Sequence, residues 1–365
     1  MRVARKGSRM EIIKIKQSRR NQTDFENLGF GETFSDHMLS IAYKDGEWGL
    51  PQIIPYGPIE VYPAMCSLHY GQTIFEGLKA FHTSKGINIF RPQKYHERLR
   101  QSCQRLCIPE IGLDVWLDGL TELVNLDKEW VPKKKGYSLY IRPILFATDN
   151  YVGIRVSNTY RFIIMTSPVG AYFKEGINPS RLITPGEYIR AAKGGLGAAK
   201  TPANYAATLL PFEIAKKKGF TQILWLDGIE RKYVEEVGMM NLFFMIDDEL
   251  ITPPLEGTIL HGVTRDTVIH LGREWKIKVL ERKISIDEIF QTSEEGRLKE
   301  AFGTGTAAVI SPVGEIHHED KKIIVNNNKI GPIAQKLYDE ITGIQYGEKE
   351  DKFGWCYYVS GLRML

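Results

Sequence analysis

The chain has 365 residues, of which 43% are hydrophobic and 25% are charged, a composition typical of a globular protein that can form two domains of ordinary size. Its 48 basic and 44 acidic side chains leave a formal net charge of only +4, which gives no reason to expect a nucleic acid partner. The longest apolar runs, such as residues 241–246, are too short to span a bilayer, so no membrane partner is expected.

The first half of the chain mixes strand and helix patterns. One strand pattern has a clear period of two, which places Tyr140 and Arg142 on the same face. These patterns predict a small, mixed α+β domain over residues 1–167. The predicted strands are residues 86–90, 137–142 and 160–165, and the predicted helix is residues 93–106.

A segment rich in Pro and Gly and without periodicity predicts a linker over residues 168–182 and a larger α+β domain over residues 183–365. In this second domain a helix is expected from about residue 204 to residue 218, with basic residues in its last turn and Gly219 as its stop. Pro211 conflicts with that helix and implies a kink or a later start. The predicted strands, which form a meander flanked by helices, are residues 222–226, 240–246 and 249–252.

Neither the N-terminal segment nor the cysteines are expected to form a functional site. The basic segment at residues 1–9 is followed by no amphipathic stripe and no secretory apolar segment, so it is expected to be a solvated tail. The cysteines are too few for a disulfide scaffold and too scattered for zinc, so no metal and a reduced, cytoplasmic setting are expected. They are Cys66, Cys103, Cys107 and Cys356.

One lysine, Lys200, follows the small-residue run Ala-Lys-Gly-Gly-Leu-Gly-Ala-Ala, where the backbone can approach a flat ligand closely. Desolvation there would lower the pKa of the amine and make it a nucleophile able to form a Schiff base with an aldehyde. A nucleotide phosphate loop fits less well, because Ala199 replaces the glycine before the lysine and no clear buried strand precedes the loop. Taken alone, the segment also suits a surface loop with a solvated lysine.

A second motif, between residues 236 and 265, bears on the role of this lysine. Residues 236–243 read Glu-Val-Gly-Met-Met-Asn-Leu-Phe, residues 250–252 read Leu-Ile-Thr, and residues 260–265 read Leu-His-Gly-Val-Thr-Arg. This spacing of Glu, Gly, Asn, Thr, Gly and Arg resembles the signature of the class IV aminotransferases, the fold-type IV enzymes that use pyridoxal 5'-phosphate (PLP). The resemblance implies a two-domain α+β fold of the D-amino acid aminotransferase type.

The resemblance covers nearly the whole chain and narrows to the branched-chain amino acid aminotransferases. It implies reversible transfer of the amino group of L-leucine, L-isoleucine or L-valine to 2-oxoglutarate, which gives the branched 2-oxo acid and L-glutamate in a ping-pong cycle. The further matching segments are residues 30–38, 68–81, 90–92, 138–143, 169–173, 204–205 and 302–307.

The same resemblance assigns cofactor roles. Lys200 is implied to be the Schiff-base lysine and also the base that moves a proton between substrate Cα and the cofactor. Glu236 is implied to bind the pyridine nitrogen, and Tyr205 the phenolic oxygen. The residues implied for the phosphate are Arg91, Val263, Thr264 and Thr306.

The substrate pocket must accept both apolar side chains and glutamate. Arg142 is expected to reach the distal carboxylate of glutamate, and the α-carboxylate is expected to meet Tyr140 and the backbone N–H groups of Thr306 and Ala307. The aromatic wall implied by the resemblance consists of Phe30, Tyr70, Phe75, Tyr140 and Tyr172.

A homodimer is implied as the smallest active form, because Tyr70 and the loop Val152-Gly153-Ile154 would reach the neighbouring subunit's site. Two departures from the family pattern flank the lysine, since Pro202 and Ala203 stand where glycines are usual. Met239 likewise stands at a position that is commonly Gly or Thr.

The alternatives fall into two classes. The nearest is another fold-type IV enzyme, either a D-amino acid aminotransferase or an aminodeoxychorismate lyase, and the motifs of the first half argue against both. The second class is a binding protein without turnover, which would hold PLP, or a nucleotide on the loop at residues 194–201. The colour of the purified protein and a substrate panel with both enantiomers distinguish these alternatives.

Overall fold

The computed structural model describes residues 2–3, 10–171 and 178–359. The chain divides into two compact units. Unit 1 comprises Met1–Tyr172, Lys200–Pro202 and Gly343–Leu365, and unit 2 comprises Phe173–Ala199 and Ala203–Thr342. The division into residues 1–167, 168–182 and 183–365 stays a prediction. Most of the expected solvated tail, namely residues 1 and 4–9, lies outside the described residues.

The strands and helices follow one another throughout the described ranges. The strands are β1 (Arg2–Val3), β2 (Glu11–Ile13), β3 (His37–Lys44), β4 (Glu47–Trp48), β5 (Gln52–Pro55), β6 (Thr73–Phe75), β7 (Leu78–Thr83), β8 (Gly86–Phe90), β9 (Ser138–Ala147), β10 (Tyr160–Val169), β11 (Ser180–Ile183), β12 (Gln222–Leu226), β13 (Val234–Val237), β14 (Met240–Ile246), β15 (Glu249–Thr252), β16 (Lys278–Glu281), β17 (Leu298–Gly305), β18 (Val309–His318), β19 (Lys321–Ile324) and β20 (Cys356–Tyr358). The α-helices are α1 (Cys66–Tyr70), α2 (Pro92–Arg105), α3 (Leu113–Leu126), α4 (Pro202–Ala206), α5 (Leu209–Lys217), α6 (Val263–Glu274), α7 (Ile286–Glu294) and α8 (Pro332–Gln345). Within the described ranges, none of these helices has the length and apolar character needed to cross a membrane.

Unit 1 is built on a sheet that has 11 strands among the described residues, in the order β1-β2-β5-β3-β10-β9-β7-β8-β20, with β4 beside β3 and β6 beside β9. The long strands β9 and β10 pair antiparallel over their whole length. Helices α2 and α3 pack together, and α3 also packs against β3. Trp116 of α3 is fully buried, and its indole N–H donates to the Pro92 carbonyl at 3.0 Å. This sheet positions β6, which carries Phe75, and β9, which carries Tyr140 and Arg142.

The strand pairings of unit 2 close into a ring. In the described part of the chain, β12, β13, β14, β17, β18 and β11 each pair with the next, and β11 pairs back with β12. Strands β15 and β16 continue from β14. Closure satisfies the backbone groups that an edge strand would leave unpaired. Strands of this ring contribute Leu224, Val237, Leu242 and Ile316 to the hydrophobic core of unit 2.

Several predicted elements are confirmed, and four strands have the bounds expected of them. The strands predicted at residues 86–90, 222–226, 240–246 and 249–252 are β8, β12, β14 and β15, and the helix predicted at residues 93–106 is α2 with its ends shifted by one residue. The strands predicted at residues 137–142 and 160–165 are the first halves of β9 and β10. The predicted meander is wrong in one respect, since it omits β13.

The helix predicted from residue 204 to residue 218 is wrong in extent. The structure has two helices there, α4 and α5, and Thr208 is the N-cap of α5. Pro211 therefore lies in the first turn of α5, where its missing N–H would have had no partner within the helix. The later start that Pro211 implied is the correct alternative.

Candidate active site

The backbone of Lys200 is fixed within unit 1. The Lys200 N–H donates to Ser102 Oγ at 2.9 Å, and the Lys200 carbonyl accepts the Phe75 N–H at 3.0 Å. The next residue, Thr201, donates its hydroxyl to the Thr73 carbonyl at 2.8 Å. Ser102 lies on α2, and Thr73 and Phe75 lie on β6. The sequence predictions missed Ser102 and Thr73, because no motif marks a single polar residue that binds a distant backbone group.

Four predicted pocket residues cluster with the Lys200 amine in unit 1. Lys200 Nζ lies 4.7 Å from the centroid of the Phe75 ring, and Arg142 Cζ lies 4.9 Å from the same centroid. Arg142 Nη2 donates to the Tyr140 hydroxyl at 3.1 Å. Tyr140 meets Phe30 edge to face, with ring centroids 4.9 Å apart. The cluster therefore offers apolar aromatic surface and a guanidinium beside one amine.

Two features prepare this cluster for a carboxylate. Arg142 Nε is buried and has no hydrogen-bond partner among the described residues. A buried N–H without an acceptor costs free energy, so it marks a place where a ligand oxygen would be stabilised. The Tyr140 hydroxyl occupies the space that a Cβ at Gly77 would need. Gly77 is therefore required for the phenol to lie where it meets Arg142.

The structure describes two further predicted residues of unit 1, Arg91 and Tyr70. Arg91 is the N-cap of α2, and its guanidinium lies 4.8 Å from the Trp355 ring centroid. Its φ of 51° is a left-handed conformation that is costly for a residue other than glycine and is frequent at functional sites. Tyr70 ends α1 and is 41% exposed. Tyr172 lies outside the described residues.

In unit 2, Glu236 is buried among hydrogen-bond donors. Its Oε1 accepts from Asn241 Nδ2 at 3.1 Å and from the Leu260 N–H at 3.2 Å. Its Oε2 lies 2.5 Å from Arg190 Nε, and both side chains are almost fully buried. A carboxylate is an acceptor only, so these donors match its ionised form. Arg190 was missed by the sequence predictions, whereas Asn241 and Leu260 belong to the motif that contains Glu236.

The start of α6 and the turn after β17 follow segments that contact or pair with Glu236 and Asn241. Glu236, Asn241 and Thr304 are register partners across β13, β14 and β17, and Thr306 and Ala307 follow in the turn that leads to β18. Helix α6 begins at Val263, so Val263 and Thr264 supply its first backbone N–H groups, at the positive end of the helix dipole. A Cβ at the N-cap, Gly262, would collide with the Asn241 side-chain oxygen.

Helix α4 begins directly after the lysine segment. Pro202 is its first residue, and proline suits that position because its missing N–H would have no helical partner. Asn204 donates its amide to the carbonyls of Leu196 and Ala199, each at 2.8 Å, which closes the glycine-rich loop. Tyr205 follows on the same helix. The departure from the family pattern at residue 202 thus has a local structural reason.

Each unit, taken by itself, carries groups of a kind that binds PLP. Unit 1 carries an amine beside an aromatic ring, and unit 2 carries a buried carboxylate suited to a protonated ring nitrogen. The N-terminus of α6 is suited to a phosphate, and Gly262 is small enough for a close approach there. Each of these groups is one that the resemblance assigned to the cofactor.

Comparison with known proteins agrees with this geometry. Residues 73–316 match the family described as amino-transferase class IV. The chain is 51% identical over 352 residues to branched-chain-amino-acid aminotransferase 2 of Bacillus subtilis (strain 168). The aligned region covers 96% of this chain and 97% of that protein.

Solved structures give the same result. The chain is similar to the branched-chain amino acid aminotransferase of Escherichia coli, with a TM-score of 0.74, 27% identity and coverage of 89% of this chain and 99% of that chain. It is also similar to a T.th. branched-chain amino acid aminotransferase complexed with N-(5'-phosphopyridoxyl)-L-glutamate, with a TM-score of 0.70, 25% identity and coverage of 87% and 98%. The two-domain α+β fold expected from the sequence is confirmed. With the lysine, the buried glutamate and the glycine-started helix in their motif positions and the match over most of its length, this chain belongs to the class IV aminotransferases.

Proposed function

We propose that this protein is a branched-chain amino acid aminotransferase that uses PLP. It transfers the amino group of L-leucine, L-isoleucine or L-valine to 2-oxoglutarate, reversibly, and gives the branched 2-oxo acid and L-glutamate. The near full-length similarity to branched-chain aminotransferases supports this reaction and its substrate class of amino acids and 2-oxo acids.

The observation that carries the proposal is the cluster around the Lys200 amine. Apolar faces of Phe30 and Phe75 suit a branched aliphatic side chain, which gains free energy when it leaves water. Arg142, whose buried Nε has no hydrogen-bond partner in the described part of the chain, suits the distal carboxylate of glutamate or 2-oxoglutarate. One cluster thereby accommodates both members of the substrate pair, which a purely apolar pocket would not.

The residues of the chain take complementary roles toward the cofactor. When bound, PLP supplies an aldehyde carbon for the amino group and a ring that accepts the electrons released when the substrate loses its α-proton. Lys200 would anchor the cofactor, and its free amine would then hold and return that proton. Glu236, fixed by Arg190, keeps the ring nitrogen protonated.

The other contacts orient the ligands. We assign the phosphate to Arg91, to the first N–H groups of α6 at Val263 and Thr264, and to the Thr306 hydroxyl. Tyr205 hydrogen-bonds the phenolic oxygen. The substrate α-carboxylate meets Tyr140 and the N–H groups of Thr306 and Ala307, and Tyr70 and Tyr172 complete the aromatic wall.

We further propose a cytoplasmic homodimer as the active form. Tyr70, Val152 and Ile154 are 41%, 65% and 90% exposed, and apolar exposure of this kind is typical of a surface that a partner covers. All four cysteines are free, which agrees with a reducing compartment. Sedimentation velocity tests the dimer, and a Val152→Asp plus Ile154→Asp variant is expected to dissociate and lose activity together.

The decisive experiment measures cofactor colour and turnover. The purified protein is expected to be yellow and to form glutamate from leucine and 2-oxoglutarate. Lys200→Ala is expected to abolish turnover and the covalent attachment of the cofactor together, whereas Lys216→Ala, at an exposed lysine on α5, is expected to leave both unchanged.

Other outcomes would point to the alternatives. Turnover of D-amino acids in a panel with both enantiomers would identify a D-amino acid aminotransferase. A yellow protein without turnover would identify a PLP carrier, and a colourless protein stabilised by nucleotide would support the phosphate-loop hypothesis.

A further inference from the structure

A cavity of about 160 Å³ lies in unit 2 beside β13. Its lining includes Glu235, Tyr233, Thr258, Ile259 and Lys193, and it is named here the Glu235 cavity. Glu236 does not line this cavity, although it is the next residue in the chain.

A β-bulge in β13 sets the direction of Glu235. Two successive residues of β12 oppose Val234 and Glu236, so Glu235 is an extra residue between them. Val234 and Val237 both pack in the core of unit 2, whereas an unbroken strand would send residues three positions apart to opposite faces. The bulge therefore breaks the alternation and allows both carboxylates to leave the strand on the side away from that core.

A chain of polar contacts joins the two carboxylates. Arg190 Nε lies 2.5 Å from Glu236 Oε2, and Arg190 Nη1 donates to the Thr258 carbonyl at 2.8 Å. The Thr258 hydroxyl donates to Glu235 Oε1 at 2.5 Å. The Glu235 and Glu236 side chains are thus connected through Thr258 and Arg190.

The Glu235 carboxylate is buried but only partly satisfied. The residue is 7% exposed, and its Oε2 has no hydrogen-bond partner among the described residues. Burial raises the pKa of this carboxyl, an effect that the Thr258 hydroxyl and the charge of Arg190 oppose. Buried acceptors are rarely left without a donor, so Oε2 marks the position of a bound donor.

The other groups that line the cavity indicate what kind of molecule could supply that donor. Asp227 is satisfied by backbone N–H groups of its own turn, and Glu256 lies 3.7 Å from Lys283 Nζ. Lys193 lines the cavity and is exposed, so its ammonium group can meet an anion. The apolar wall consists of Ile229, Pro253, Pro254 and Ile259.

We propose that the Glu235 cavity is a second binding site, for a free amino acid with a small apolar side chain. Its ammonium group pairs with Glu235 Oε2, its side chain lies against the apolar wall, and its carboxylate meets Lys193. A cavity of about 150 Å³ can hold a benzene molecule, so the volume suits a compact side chain. Binding of the amino acid in this cavity does not depend on the proposed aminotransferase activity. An effect of that binding on catalysis, passed from Glu235 to Glu236 through Arg190, rests on the proposed function.

The test uses 2-aminoisobutyrate, which has no α-hydrogen and cannot be transaminated. Isothermal titration of the holoenzyme is expected to show one more equivalent bound per chain in the wild type than in Glu235→Gln. The amide keeps the shape of the side chain but loses the charge, which is expected to weaken binding at this site at least about tenfold. Glu256→Gln, at another carboxylate of the same cavity, is expected to bind as the wild type does.

Equal stoichiometry in the wild type and Glu235→Gln would overturn the proposal. A crystal of the wild-type holoenzyme soaked in 2-aminoisobutyrate decides the question if Glu235→Gln does not fold. The expected result is an ammonium group within hydrogen-bond distance of Glu235, and water molecules alone at that position would overturn the proposal. Failure of the proposed function is seen separately, as absence of glutamate formation, and does not alter the difference in bound equivalents.

Discussion

The ion pair between Glu76 and Arg98 in unit 1 gives the sharpest stability prediction. Arg98 Nε and Nη2 donate to the two carboxylate oxygens at 2.8 and 2.7 Å, and Glu76 is completely buried. Glu76 follows Phe75, whose N–H binds the Lys200 carbonyl, so the pair supports the strand that fixes the lysine. Arg98→Met would leave a buried carboxylate without its counter-charge.

The expected magnitude follows from that burial. Removing one partner of a fully buried pair costs about 3–5 kcal/mol, whereas replacing both partners by apolar residues is close to neutral. We therefore expect Arg98→Met to be strongly destabilising and Glu76→Met plus Arg98→Met to be less so. Arg100, on the same helix α2, pairs with Glu110 at the surface, so Arg100→Met is the matched control and is expected to change stability much less.

Urea unfolding followed by hydrogen-exchange mass spectrometry of peptides from β6 and α2 measures this effect in unit 1 alone. The reasoning would be refuted if Arg98→Met lowered the urea midpoint no more than Arg100→Met. It would also be refuted if the double variant were as unstable as the sum of the two single variants predicts.

Three further predictions concern the site and its surroundings. Arg142→Met is expected to raise the KM for 2-oxoglutarate about tenfold or more and the KM for leucine far less, because only the former places a distal carboxylate on the guanidinium; equal increases would contradict the assignment. Gly262→Ala is expected to weaken PLP binding in titrations of the apoprotein, since its Cβ would collide with Asn241, while Gly57→Ala, which adds a Cβ in open space, serves as control. Burial raises the pKa of Asp227, but four backbone N–H donors outweigh this and hold it below its usual value of 3.8. This stabilisation is therefore present above pH 3.8 and is lost as the pH falls through the lower folded-state pKa, so acidification should narrow the stability gap between wild type and Asp227→Asn, and a gap independent of pH would argue against it.

The sequence by itself determined the elements whose signals lie in adjacent residues. Strands β8, β12, β14 and β15 were predicted with their observed bounds, because short apolar runs and the turns that bound them, such as Asp227-Gly228, are signals carried by adjacent positions. The motif around Glu236 and Gly262 identified the family because its residues lie on consecutive elements and contact one another. Residue 262 must be glycine, for example, because a Cβ there would collide with Asn241 of the same motif.

Only the tertiary structure decided which distant side chains meet. Lys200 with Ser102, Glu236 with Arg190, and Glu76 with Arg98 are pairs whose members lie far apart in the sequence, so no local pattern marks them. The bulge that directs Glu235 depends on the register between β12 and β13, which is set by packing across the whole ring of unit 2. The periodicity of a chain records which face of each element is buried, but the partner of a buried charge is fixed only when the elements pack.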